Sequence, residues 1–135
     1  MIRKLDHIGI AVRSIDEALR AYRDGLGISC NHRETVEEQQ VETAFLRVGE
    51  THLELLEPTD PEGPVGRYLE RRGEGVHHLC FEVEDLEAAM DRCREAGLRL
   101  IDSRPRRGAQ GKRVAFLHPK STHGVLIELS QASGD

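Results

Sequence analysis

The stretch Leu5-Asp6-His7-Ile8-Gly9-Ile10-Ala11-Val12 returns 71 positions later as Val76-His77-His78-Leu79-Cys80-Phe81-Glu82-Val83. The correspondence continues without a gap: Ser14-Ile15-Asp16-Glu17-Ala18 is answered by Asp85-Leu86-Glu87-Ala88-Ala89, and Gly25-Leu26-Gly27 lies one residue off Ala96-Gly97-Leu98. A chain that repeats itself this way has to fold as two copies of one plan. At 135 residues it has the length for one core shared by two half-domains and is short for two independent cores. The expectation is a single domain over 1–135, with one module over about 4–57, a linker and short helix over 58–74, and a second module over about 75–130.

Each copy reads as a strand followed by an amphipathic helix. Residues 5–12 alternate, with Leu5, His7, Gly9 and Ala11 on one face and Ile8, Ile10 and Val12 on the other. Ser14 or Asp16 can cap a helix carrying Ile15, Ala18, Leu19 and Tyr22, which should stop near Gly25-Leu26-Gly27. Residues 28–40 are polar, a strand edge or a loop. Val41–Val48 and Thr51–Leu56 read as a hairpin about Gly49-Glu50, and Val65–Arg72 as a short helix ending at Gly73. In the second copy Asp85 caps a helix containing Leu86, Ala89, Met90 and Cys93. Strands are expected over 98–101, 113–117 and 124–130, with a turn over 118–123. The fold class is α+β, two tandem β-α-β-β-β modules forming a concave mixed sheet.

The repeat also nominates functional residues. Phe45-Leu46 matches Phe116-Leu117 at the same offset; the following turn is three residues longer in the second copy, so Glu54 matches Glu128 at an offset of 74. Each copy therefore supplies one histidine and one glutamate, His7 with Glu54 and His78 with Glu128. All four lie on the strand face opposite the aliphatic one. If the modules pack about a pseudo-twofold axis, the four converge on one concave surface. Neutral imidazole nitrogens and carboxylate oxygens suit a divalent first-row cation such as Zn, Co, Ni, Mn or Fe. Four protein ligands on an octahedral ion leave two positions for two oxygens of a substrate. His77 points away from His78, and His32, His52, His118 and His123 read as surface or turn residues, with His118 also a possible group on the pocket rim.

Composition narrows the partners. A formal charge of −5 gives no reason to expect nucleic acid or an anionic membrane surface. No apolar stretch approaches the roughly 20 residues of a membrane span, and the N-terminus lacks the apolar core of a signal peptide. Cys30, Cys80 and Cys93 form no CxxC pair, an odd number that suits a reducing cytoplasm, and all three read as buried thiols.

The paired modules with His/Glu ligands resemble the vicinal oxygen chelate superfamily, which contains glyoxalase I, extradiol dioxygenases, antibiotic-resistance binding proteins and methylmalonyl-CoA epimerases. The epimerases are resembled most closely, through Leu5 to Val12, Leu53-Glu54-Leu55-Leu56-Glu57-Pro58, Arg72 to His78, Gly111 to Thr122 and Gly124 to Leu129. The resemblance implies that His7, Glu54, His78 and Glu128 bind a divalent metal ion. It implies a metal-dependent epimerase that inverts C2 of an acyl-CoA substrate, methylmalonyl-CoA, through an enediolate. Glu128 is then the proton carrier and Glu54 its counterpart. Lys112, Lys120 and Ser121 are substrate-binding candidates, and Arg104, Arg106 and Arg107 can meet the coenzyme phosphates. A homodimer is implied too. Some members carry a glutamate, proposed as the base, where this chain has Thr43; Glu42 is adjacent, but alternation aims it at the other face. Two other readings share the fold: a glyoxalase I-type lactoylglutathione lyase and a non-enzymatic small-molecule binder.

Overall fold

The computed structural model describes residues 1–132, which form two compact units. One is His7–His77; the other is Met1–Asp6 with the described chain from His78 onward.

In the first unit, β1 (Ile2–Ala11, from His7 on) runs parallel to β4 (Thr51–Pro58), with Gly9 opposite Glu54. β3 (Val41–Val48) is antiparallel to β4 and β2 (Cys30–Val36) antiparallel to β3, giving the order β2-β3-β4-β1. A parallel neighbour requires a crossover, which the helix and the hairpin supply. That helix, α1 (Ile15–Leu19), starts where Ser14 Oγ accepts the Glu17 N–H at 3.2 Å. It widens to a π turn over Arg20–Gly25 and leaves through Gly27, whose φ of 77° a side chain would resist. Ile15, Leu19, Ala18 and Tyr22 pack on Ile10, Val12, Ala44, Leu46, Leu53 and Leu55. Each fully buried Leu or Ile there contributes roughly 2 kcal/mol of burial free energy. One face of this half-sheet is thus committed to the core, and the other is left to His7, Phe45, His52 and Glu54. α2 (Pro64–Arg72) opens on proline, and Gly66 admits it against the preceding turn, where a Cβ would lie 2.5 Å from the Pro61 carbonyl oxygen.

The second unit repeats the register. β5 (Gly75–Val83) runs parallel to β8 (Ile127–Gln131), β7 (Arg113–Leu117) antiparallel to β8, and β6 (Arg106–Arg107) antiparallel to β7, in the order β5-β8-β7-β6. Cys80 faces Glu128 as Gly9 faces Glu54, and Phe116 faces Glu128 as Phe45 faces Glu54. The offsets of 71 and 74 are therefore structural equivalences. α3 (Leu86–Glu95) is capped by Asp85, which accepts the Ala88 N–H at 3.1 Å, and packs Leu86, Ala89 and Met90 on Val83, Ala115 and Leu129. Arg113 of β7 hydrogen-bonds Glu87 of α3, holding that carboxyl below the usual carboxylate range and its own guanidinium above.

Three expectations are corrected. Residues 98–101 form no strand: Leu100 makes one isolated bridge to Leu117, and the outer strand is the two-residue β6. Asp102 takes over there, accepting the Phe116 N–H at 2.8 Å and ending the pairing. The last strand starts at Ile127, not 124, because the turn from His118 runs on through Gly124, tied by Gly124 N–H to Pro119 oxygen at 2.7 Å. Of the cysteines only Cys80 is buried, while Cys30 and Cys93 are half-buried; all three are free thiols. Partial burial pushes the Cys93 thiol up from its ordinary pKa. The polar stretch left open by the sequence is β2, a strand at the sheet's end that needs no apolar outer face. Among the described residues, no helix is long and apolar enough to cross a membrane.

Candidate metal centre

In the first unit the pleat of β1 and β4 places His7, His52 and Glu54 on one face. His7 Nδ1 lies 3.1 Å from Glu54 Oε2, and His52 Nε2 lies 3.0 Å from the same oxygen. The two imidazole rings are 5.1 Å apart. One ligand atom from each of the three side chains falls within 4.8 Å of the others. His7 and Glu54 are buried, and the His52 side chain is 15% exposed. His52 is therefore part of this cluster and not a surface residue, which the sequence reading missed. Its position two residues before Glu54 was the available signal. The repeat concealed it, because Leu126 occupies the corresponding place at the offset of 74.

In the second unit His78 Nε2 lies 3.0 Å from Glu128 Oε1, both side chains buried, with the Phe116 ring edge-on to His78 at 6.0 Å. Cys80, directly across from Glu128, places its Sγ within 4.8 Å of that carboxylate and donates to Ser130 Oγ at 3.3 Å. Burying a carboxylate in a sheet costs several kcal/mol unless a cation or donor compensates it, so neither glutamate is there by default.

Both pairs suit a hard-to-borderline divalent cation. The donors are imidazole nitrogen and carboxylate oxygen, and cis donors each about 2.1 Å from one ion stand about 3.0 Å apart, the separation found in both pairs. His52, on the same Glu54 oxygen as His7, is placed to orient that carboxylate.

The other candidates are placed as follows. Lys112 Nζ lies 3.2 Å from Asp6 Oδ1, and Asp6 is only 3% exposed. Ser121 Oγ accepts the Arg99 N–H at 2.8 Å, and the Lys120 N–H donates to His118 Nδ1 at 3.1 Å. The Arg106 guanidinium lies 5.4 Å from the Phe116 ring, with Nε 2.8 Å from Asp102; Arg104 and Arg107 are exposed. Thr43 is buried, its hydroxyl donating to the Glu34 main-chain oxygen at 3.2 Å.

A family model described as the glyoxalase/bleomycin resistance protein/dioxygenase superfamily matches residues 6–116. Among full-length relatives, the uncharacterized protein YqjC of Bacillus subtilis is 45% identical over 99% of this chain and 96% of its own. An ethylmalonyl-CoA/methylmalonyl-CoA epimerase of Cereibacter sphaeroides is 41% identical over 97% of this chain and 99% of its own. A structure of Streptomyces coelicolor methylmalonyl-CoA epimerase in complex with 2-nitronate-propionyl-CoA matches with a TM-score of 0.95 at 41% identity, covering 99% of this chain and all of that one. The chain belongs to this superfamily, with its paired β-α-β-β-β fold, and within it to the methylmalonyl-CoA epimerase family.

Proposed function

We propose that this protein is a metal-dependent epimerase interconverting the (2R) and (2S) forms of methylmalonyl-CoA. The carrying observation is the pair of buried His–Glu couples at equivalent strand registers, in a chain of this family. His7, Glu54, His78 and Glu128 would hold one divalent cation, drawn from Co, Mn, Ni, Zn and Fe. Bound there, the cation supplies Lewis-acid stabilisation of the negative charge that develops on the thioester oxygen when the C2 proton leaves.

The chain's own residues supply the rest. Glu128 is the proton carrier on one face of C2, able to act as base in one direction and acid in the other. The sequence assigns Glu54 the opposite face. Ser121 with nearby turn amides would meet the malonyl carboxylate, and Lys112 and Lys120 with Arg104, Arg106 and Arg107 the phosphates of the coenzyme. A cytoplasmic homodimer is part of the same reading, the compartment supported by the odd number of cysteines without a CxxC pair and the dimer by the resemblance.

The test is proton NMR of racemic methylmalonyl-CoA in D2O. Deuterium should enter C2 with the metal-loaded protein and fail to enter after EDTA treatment. No exchange with metal bound would overturn the epimerase reading and favour lactoylglutathione lyase chemistry or a binding role.

A further inference from the structure

We infer that Glu34, held by His32, is the proton carrier on the face of C2 opposite to Glu128; this rests on the epimerase reading above. The argument begins with Glu54. Its Oε2 is shared by His7 and His52 at 3.1 and 3.0 Å, and both imidazoles sit against it in a buried setting. A carboxylate with one oxygen held between two imidazoles is poorly placed to swing to a carbon. The proton on that side needs another acceptor.

The strand registers identify one. Glu54 is opposite Phe45, and Phe45 is opposite His32; one step along the same strands, Leu56 is opposite Thr43, and Thr43 opposite Glu34. Directly paired residues share a face, so Glu34 and His32 of β2 stand on the face that carries His7, His52 and Glu54. Among the described residues of these four strands, Glu34 and Glu54 are the two carboxylates on that face. A run of rings joins them: His7 to His52 at 5.1 Å, His52 to Phe45 at 5.2 Å, and Phe45 to His32 at 5.3 Å. His32 Nε2 lies 2.9 Å from Glu34 Oε1, which orients the carboxylate, and the Glu34 side chain is 27% exposed. The buried Thr43 hydroxyl ties the strand at that point through the Glu34 main-chain oxygen. Two strand spacings and one pleat repeat separate the Glu34 and Glu54 Cα atoms by about 12 Å, room for an acyl group between the carboxylates.

In the forward step the Glu34 carboxylate takes the C2 proton, the C–H electron pair becomes the π bond between C2 and the thioester carbon, and the C=O π pair moves onto oxygen, to return when C2 is reprotonated. A proton then returns to C2 from the other face, given by Glu128. In the reverse direction Glu128 takes the proton and the Glu34 carboxylic acid gives one. Solvent re-equilibrates both carboxyl groups between turnovers.

The experiment compares wild type and Glu34→Gln with each purified epimer in D2O, following C2 deuteration and inversion separately, alongside metal content and binding of a non-exchangeable acyl-CoA analogue. Wild type should exchange both epimers; its failure to do so would sink the epimerase reading itself. Glu34→Gln should lose inversion and slow exchange of one epimer by about 100-fold, while the other epimer exchanges near the wild-type rate. Metal content and analogue affinity should stay within about threefold. Exchange of both epimers within threefold of wild type would overturn the assignment. A fall in metal content or analogue binding that parallels the loss of exchange would also overturn it, since Glu34 would then be acting through the architecture of the site.

Discussion

The two imidazoles on Glu54 Oε2 have different work to do. His7 has a repeat counterpart in His78, whereas His52 answers to Leu126, so His52 is an addition to one copy of the plan. Replacing it with leucine, the residue its counterpart already tolerates, should leave the strand intact and free Glu54 to tilt. Metal affinity should fall by about 10- to 100-fold, read by competition with a chromogenic chelator, and an unchanged affinity would remove His52 from the site. Lys112 invites a different prediction. Its ammonium lies against Asp6, which is almost wholly buried, so Lys112→Met takes that counter-charge from a buried carboxylate of the second unit. Chemical denaturation should register a loss of roughly 3 kcal/mol, most of it recovered in the double variant Asp6→Asn with Lys112→Met. If Lys112→Met instead weakens only acyl-CoA binding and leaves stability intact, its principal partner is the substrate. At this scale the sequence exposed what the repeat preserves, the four His and Glu residues. It concealed His52, which one copy holds alone, and the Asp6–Lys112 pair, whose partners stand 106 residues apart, one in each copy, and leave no local pattern.

Helices and strands were legible where their pattern is local. Ser14 and Asp85 stand at equivalent places and each accepts a hydrogen bond from the third residue on, so Ser14→Ala and Asp85→Ala should each cost about 1 kcal/mol in thermal or urea unfolding. A larger effect is expected in α2. Gly66→Ala pushes a methyl group into the Pro61 and Asp60 carbonyl oxygens, both backbone atoms that cannot swing aside, and should cost roughly 1–3 kcal/mol by the same measurement. Free tolerance of alanine there would mean that the 60–61 turn can withdraw. The elements that misled are those whose boundaries are set by tertiary hydrogen bonds. Leu98 to Ile101 has strand-like residues, yet Asp102 claims the Phe116 amide and limits the pairing to one bridge. Val125 and Leu126 likewise look like strand, but the bonds of Gly124 and Val125 back to Pro119 and Thr122 keep the turn going until Ile127. β2 was ambiguous for the opposite reason, since its stabilising charges pair with other strands and helices, Arg33 with Asp16 and Glu42, and give no alternation to read.

For the molecule as a whole, the duplication makes a quantitative claim about metal. A histidine and a glutamate alone form a weak two-donor site, and a chain with two such sites would bind two ions loosely. If both pairs serve one ion, as proposed, binding is tight and its stoichiometry is one per chain. Equilibrium dialysis with metal quantified in the protein compartment separates these cases: one equivalent is expected, against two under independent binding. The same linkage sets the thermal response. An ion that binds only the folded chain, at a concentration 100 times its dissociation constant, adds about 2.7 kcal/mol, which for a chain of this size raises the melting temperature by roughly 10 °C. EDTA should remove that increment. Glu54→Ala and Glu128→Ala, which alter different units, should each abolish most of it, because losing one ligand of a shared ion weakens the whole set. A variant that still gains the full shift, with its remaining pair saturating at one equivalent, would show that the pairs act separately and that the duplication built two sites.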